Sequence, residues 1–243
     1  NAGLGGATTL FSENTVIGYA AFDGSSTQLV DQVVAIGAYA LSGAVEDEVT
    51  GTVAIGHSAL AAITTGARNL AIGFQSADAL TTSSDNIAIG YDALTTASTN
   101  ISANIAIGNY ALDGLTATAT VNNNIAIGYA AGGAVTTADD CTLVGHGSGQ
   151  NISTGVQNTA FGSGAMGGSS ALTGAGNTAI GYAAGTLLEG VAADNTIVGT
   201  NAGDSMTSAS ANTCVGSSAG DSLTTGASNT LLGRMAGLTM STS

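Results

Sequence analysis

A chain of 243 residues, 44% hydrophobic but only 4% aromatic, can bury a core, though one assembled almost wholly from Ala, Val, Ile and Leu. Sixteen acidic residues face two arginines, Arg68 and Arg234, and no lysine, and the formal charge of −14 excludes the basic clusters that nucleic acid or an anionic membrane would require. No apolar run approaches the ~18 residues of a membrane span, and an acidic, lysine-free surface suits an extracellular setting.

Taken in chain order, the sequence is one repeat written thirteen times. Its marker is a glycine, at Gly18, Gly37, Gly56, Gly73, Gly90, Gly108, Gly128, Gly145, Gly162, Gly181, Gly199, Gly216 and Gly233. Successive markers are 17–20 residues apart and never fall out of step, which predicts a single repeat domain over 1–243. Before each marker stands an apolar residue, usually Ile. Three residues after it stands Ala, except at Ser76 and Ser148.

A repeat this short cannot hold two helices and a turn, which need more than ~30 residues. The run before each marker, as in "NIAIG", is β-branched and bounded by Asn and Gly, which reads as a short strand. A second short strand is expected after the glycine, around the recurring Ala. Two strands and two bends per repeat describe one coil of an all-β parallel β-solenoid with about thirteen coils of 17–20 residues. The absence of Pro agrees, because each interior coil must donate its N–H groups to a neighbour.

Four residues before the marker stands Asn in ten copies: Asn14, Asn69, Asn86, Asn104, Asn124, Asn158, Asn177, Asn195, Asn212 and Asn229. Stacked in register, these amides are expected to form a structural ladder running from coil to coil. Along "NIAIG" side chains alternate between two faces. Ile is larger than Ala, so the expected facing puts Ile105 and Ile107 inside the coil. That facing leaves Ala35, Ala54, Ala71, Ala88, Ala106, Ala126, Ala160 and Ala179 as an outer apolar file for another chain to cover. The residue after the marker is often aromatic, and Tyr19, Phe74, Tyr91, Tyr129 and Tyr182 form a candidate surface file shared with His57 and His146.

No constellation of catalytic residues stands out. The acidic clusters Glu46-Asp47-Glu48 and Asp139-Asp140 lie in variable links without an aromatic platform, and read as solvated loop charge rather than a glycosidase pair. His57 and His146 are five coils apart, too far to share a metal, and neither has a neighbourhood that would activate a serine. Cys141 and Cys214 are four coils apart and should be separate buried thiols. Without lysine there is no phosphate-binding loop. The expectation is therefore no enzyme, no cofactor and no metal.

The runs "NTAIGYAAG", "NIAIGYAAG" and "NTVIGYAAF" resemble the head repeats of trimeric autotransporter adhesins and the repeats of phage tail fibres, over essentially the whole chain. That resemblance implies a left-handed β-roll, three chains side by side, and attachment at a cell or virion surface. Adhesin heads repeat at a shorter period than this chain does. The chain opens and closes part-way through a coil, so a segment of a longer fibre, or a subunit of a filament, is expected.

The function expected from all this is a non-enzymatic rod for attachment or spacing. Its partners would be further copies of itself, with three chains favoured or a filament built end to end, and a host glycan or protein. No partnership with nucleic acid and no membrane insertion is expected. The main alternative is a subunit that polymerises end to end into an extracellular filament, through open strand edges. A third reading comes from Thr142, Thr159, Thr178, Thr196, Thr213 and Thr230, each three before a marker, which form a hydroxyl file suited to ordering water or binding ice.

Overall fold

The computed structural model describes residues 11–24, 30–45, 49–96, 99–115 and 120–242, so Glu46-Asp47-Glu48 lie outside the described residues. The protein is a parallel β-solenoid, with no helix among the described residues. It divides into two compact units, 1–122 and 123–243.

The first unit carries β1 (Phe11–Ser12), β2 (Thr15–Ile17), β3 (Val30–Asp31), β4 (Val34–Ile36), β5 (Val53–Ile55), β6 (Leu70–Ile72), β7 (Ile87–Ile89), β8 (Ile101–Ser102), β9 (Ile105–Ile107) and β10 (Val121–Asn122). The three-residue strands pair in parallel as β2-β4-β5-β6-β7-β9, each residue against its equivalent one coil on. The second unit carries β11 (Ile125–Ile127), β12 (Thr142–Val144), β13 (Thr159–Phe161), β14 (Thr178–Ile180), β15 (Thr196–Val198), β16 (Thr213–Val215) and β17 (Thr230–Leu232), paired in that order. Each of these strands ends at a marker glycine. Counted as complete turns from strand to strand, the first unit has five and the second six, against the expected thirteen or so coils.

The marker must be glycine for two reasons. Its φ is positive, +134° at Gly145, and a Cβ there would stand 2.5 Å from the carbonyl oxygen of Gly162 in the next coil. The coils therefore touch backbone to backbone at this corner.

Among the described residues the second strand expected after the marker is absent. The chain instead makes turns, because the residues two and four after each marker are left-handed: Tyr39 and Leu41, for example, have φ of 59° and 52°. Alternating handedness curls the backbone and prevents extension. The additional strands that do form lie before the Asn. They are the two-residue pairs β1-β3 and β8-β10, in parallel register.

The facing of the main strand is the reverse of that expected from size. Ala35, Ala54, Ala71, Ala88, Ala106, Ala126, Ala160 and Ala179 are 0–1% exposed and fill the coil interior, so they form no interchain face. The Ile and Val residues on either side face outward, as in Val34–Ile36 and Ile105–Ile107. The reason is cross-section. In four coils of the first unit the opposite wall contributes a large buried side chain, Leu41, Leu60, Leu94 or Leu112, and leaves room for only a methyl group from the strand.

The Asn ladder is present and internal. Asn69, Asn86, Asn104, Asn124, Asn158, Asn177, Asn195 and Asn212 are 0–2% exposed, and Asn14 and Asn229 are half-buried. Asn177 shows the pattern. Its backbone N–H and its Nδ2 donate to Oδ1 of Asn158, at 2.9 and 3.0 Å, and Nδ2 also donates to the carbonyl of Ala192 at 2.8 Å. Asn195 and Asn212 repeat it, as do Asn86 and Asn104, and Asn229 bonds Oδ1 of Asn212 through the same two groups. Where Cys141 replaces Asn, its N–H still bonds Oδ1 of Asn124 at 3.0 Å.

Candidate functional site

Since the interior holds apolar side chains and a fully occupied amide ladder, any site must lie on the outer faces. Three features are arrayed there.

The first is the outward face of the strand sheet. From β4 to β9 its two columns are apolar, pairing Val34 with Ile36, Val53 with Ile55, Leu70 with Ile72, Ile87 with Ile89 and Ile105 with Ile107, whereas β2 pairs Thr15 with Ile17. In the second unit one column becomes Thr: Thr142, Thr159, Thr178, Thr196, Thr213 and Thr230 stand in register, one per coil. Their companions are Val144, Phe161, Ile180, Val198, Val215 and Leu232. Among the described residues these six hydroxyls make no hydrogen bond and remain available to water.

The second feature is the aromatic file. In the first unit it is a continuous stack of six rings, Tyr19, Tyr39, His57, Phe74, Tyr91 and Tyr110. Their centroids are 5.2–5.7 Å apart, within the range of favourable ring pairs. Tyr19, Phe74 and Tyr91 were expected in this file; Tyr39 and Tyr110 were not. Both stand two residues after their marker and restore a ring where the preceding position is Ala38 or Asn109. The missed signal was this compensation between adjacent columns. In the second unit Tyr129 stacks on His146 at 5.4 Å and 10°, and Tyr182 stands 62% exposed two coils beyond His146.

The third feature is acidic. Asp78, Asp92 and Asp113 lie on turns of three successive coils of the first unit. Desolvation raises the pKa of all three above the ordinary 3.8, and the charge of Asp92 adds to the effect at Asp78 and Asp113. Asp85 differs: the Arg68 guanidinium grips its carboxylate in a two-pronged ion pair, at 2.6 and 2.7 Å, and lowers its pKa. Asp140 accepts a bond from Asn123 at 3.2 Å, and its neighbour Asp139 is part of the same link.

Cys141 and Cys214 are separate buried thiols, and burial pushes Cys141 up to about 11 and raises Cys214. Neither is activated as a nucleophile. Among the described residues no three His, Cys, Asp or Glu side chains come together as metal ligands, and no helix is long and apolar enough to cross a membrane. No family model, no curated protein and no solved structure matches the chain.

Proposed function

We propose that the chain is a non-enzymatic fibrous protein of a cell or virion surface, a stiff solenoid segment that serves attachment or spacing. The observation that carries this reading is the buried Asn ladder. It occupies the polar groups of the interior with structural bonds, so that chemistry is left to repeating surface files. Resemblance to adhesin heads and tail fibres supports the surface location. Copies associate side by side, three by that resemblance, through the outward Val, Leu and Ile columns of the first unit; the Ala file is internal and takes no part. Negative-stain microscopy of the purified protein tests the reading. Short discrete rods are expected, and long filaments would replace it with the end-to-end polymer.

A specific observation favours a second reading for the second unit. Its Thr column faces outward at the ~4.8 Å spacing of parallel strands, its hydroxyls are unengaged within the chain, and the adjacent column offers methyl groups. Such an array can hold ordered water against ice. Thermal hysteresis lost on replacing Thr178, Thr196 and Thr213 by Leu would establish it, and no hysteresis in the wild type would dismiss it.

A further inference from the structure

The aromatic file of the second unit runs only from Tyr129 to Tyr182 and is interrupted there at one coil, and this gap has the features of a site. Tyr129 and His146 stack nearly parallel, so the far face of the His146 ring is turned toward the next coil. That coil offers Ser163 in place of a ring, and the following coil resumes the file with Tyr182. His146 and Tyr182 are thus two strand spacings apart, roughly 9.6 Å, which leaves space for one ring at the ladder's own step. A cleft of about 270 Å³ occupies this place, lined by His146, Gln150, Ser163, Gly164, Tyr182 and Thr186.

The floor of the cleft is cleared of side chains in a way that backbone conformation does not require. The residue two after the marker is left-handed in all thirteen coils, yet it is Gly only at Gly147 and Gly164, both of which line the cleft. Elsewhere the position accepts Ala, Ser, Gln, Asp, Asn, Tyr or Met. A Cβ on Gly164 would meet nothing within 4 Å, so packing does not demand glycine there either.

The polar groups at the cleft are few and open. Among the described residues the Gln150 amide and the Ser163 hydroxyl have no partner, while Thr186 donates to the Ala183 carbonyl at 2.8 Å and keeps its oxygen lone pairs. A ring at each end of the cleft, His146 and Tyr182, with a few donors and acceptors between them suits a neutral ligand that is apolar above and below and hydroxylated at its edge. A pyranose with all substituents equatorial is such a ligand, because only axial C–H groups project from its two faces. An axial hydroxyl, as in galactose or mannose, spoils one face.

We infer that this cleft binds one equatorially substituted, gluco-configured pyranose ring between His146 and Tyr182. The inference rests on the attachment reading and names its ligand class: the solenoid carries a sugar-binding notch, one coil wide. Gln150, Ser163 and Thr186 bond the hydroxyls at the ring's edge.

The test is an amide NMR titration of the whole chain with methyl β-D-glucopyranoside, alongside methyl β-D-galactopyranoside. Saturable shifts at His146, Ser163, Gly164 and Tyr182 are expected with the glucoside, and affinity several-fold weaker for the galactoside. Ser163→Phe supplies the missing ring from within and should reduce glucoside affinity at least tenfold, with the melting temperature kept or raised. Tyr182→Ala, on an exposed side chain, should do the same without loss of fold. Equal glucoside binding by wild type and Ser163→Phe, or no shifts at saturating sugar, overturns the site. If discrete rods persist under the microscope while the shifts are absent, the site alone has failed. If filaments appear while the shifts are present, the rod reading alone has failed.

Discussion

The two units solve the same packing problem in opposite ways. In the first, the strand centre is small and the facing turn is large: Ala35, Ala54, Ala88 and Ala106 pair with Leu41, Leu60, Leu94 and Leu112, all buried. In the second, the turn position is Gly132, Gly149, Gly185, Gly203, Gly220 and Gly237, and the strand centre enlarges at Leu143, Ile197, Cys214 and Leu231. A Cβ on Gly149 would stand 2.5 Å from Cδ2 of Leu143, and one on Gly220 2.6 Å from Sγ of Cys214. The single coil of the second unit with a large turn residue, Met166, has a small strand centre, Ala160. In these coils one wall supplies the bulk that the other lacks, whereas Ala71 with Ala77, Ala126 with Gly132 and Ala179 with Gly185 are small on both walls.

The largest expected effect comes from breaking that compensation in one coil. Leu143→Ala alone should leave a void and cost about 2–5 kcal/mol. Gly149→Leu alone should overpack the same space by about 1–3 kcal/mol. Together they rebuild the first unit's pattern inside the second, so urea unfolding should show the double variant more stable than either single one. Losses that simply add would show that the two walls are independent.

Next in size is the ladder, which the units share. Asn86→Leu in the first unit and Asn177→Leu in the second should each cost about 1–3 kcal/mol for every buried group left without a partner. Equal losses are expected, by thermal unfolding. A much smaller loss in one unit would mean that its coils do not depend on the amide file.

The outer faces should respond differently to charge. With association running through the apolar columns of the first unit, Ile87→Glu combined with Ile105→Glu should lower the mass in solution. Thr178→Glu combined with Thr196→Glu should leave it unchanged. Sedimentation velocity distinguishes these outcomes, and identical behaviour of the two pairs would remove the sheet faces as the surface of association.

Smallest is a pH effect confined to the first unit. Asp78 and Asp113 have folded pKa values above the ordinary 3.8, chiefly through desolvation. Between 3.8 and the raised value the folded chain binds more protons than the unfolded one, so stability should rise as pH falls through that window and stay raised below it. The Arg68–Asp85 pair acts in the opposite sense, with stability lost as pH falls through the lowered pKa of Asp85, but it is exposed and weak. Asp78→Asn should raise the melting temperature slightly at pH 7 and flatten the profile between pH 7 and 4.

The repeat, its strand and the Asn ladder were legible in the sequence because each depends on a backbone requirement that recurs at one position. Marker glycines report a close approach of two backbones, and Asn reports an amide that must bond up and down. The facing of Ile and Ala was not legible, because it depends on what the opposite wall contributes, and that wall's large residues lie in turns. Leu41 and Leu60 stand beside the recurring Ala, where a second strand is expected, and a left-handed backbone turns them inward instead. The surface site was half legible. The aromatic column showed through, but the rings of Tyr39 and Tyr110 and the gap at Ser163 have meaning only once adjacent columns are seen to share one file.

The described strands pair residues 17–20 positions apart, and the ladder amides bond over the same interval. No coil waits for a distant part of the chain before it can form. On a ribosome adding ~5–20 residues per second, a new coil would emerge every few seconds and find the preceding Asn already presenting its oxygen. Contacts of such short range favour rapid zippering over a search through alternative pairings. The protein is built to be folded in the order in which it is read.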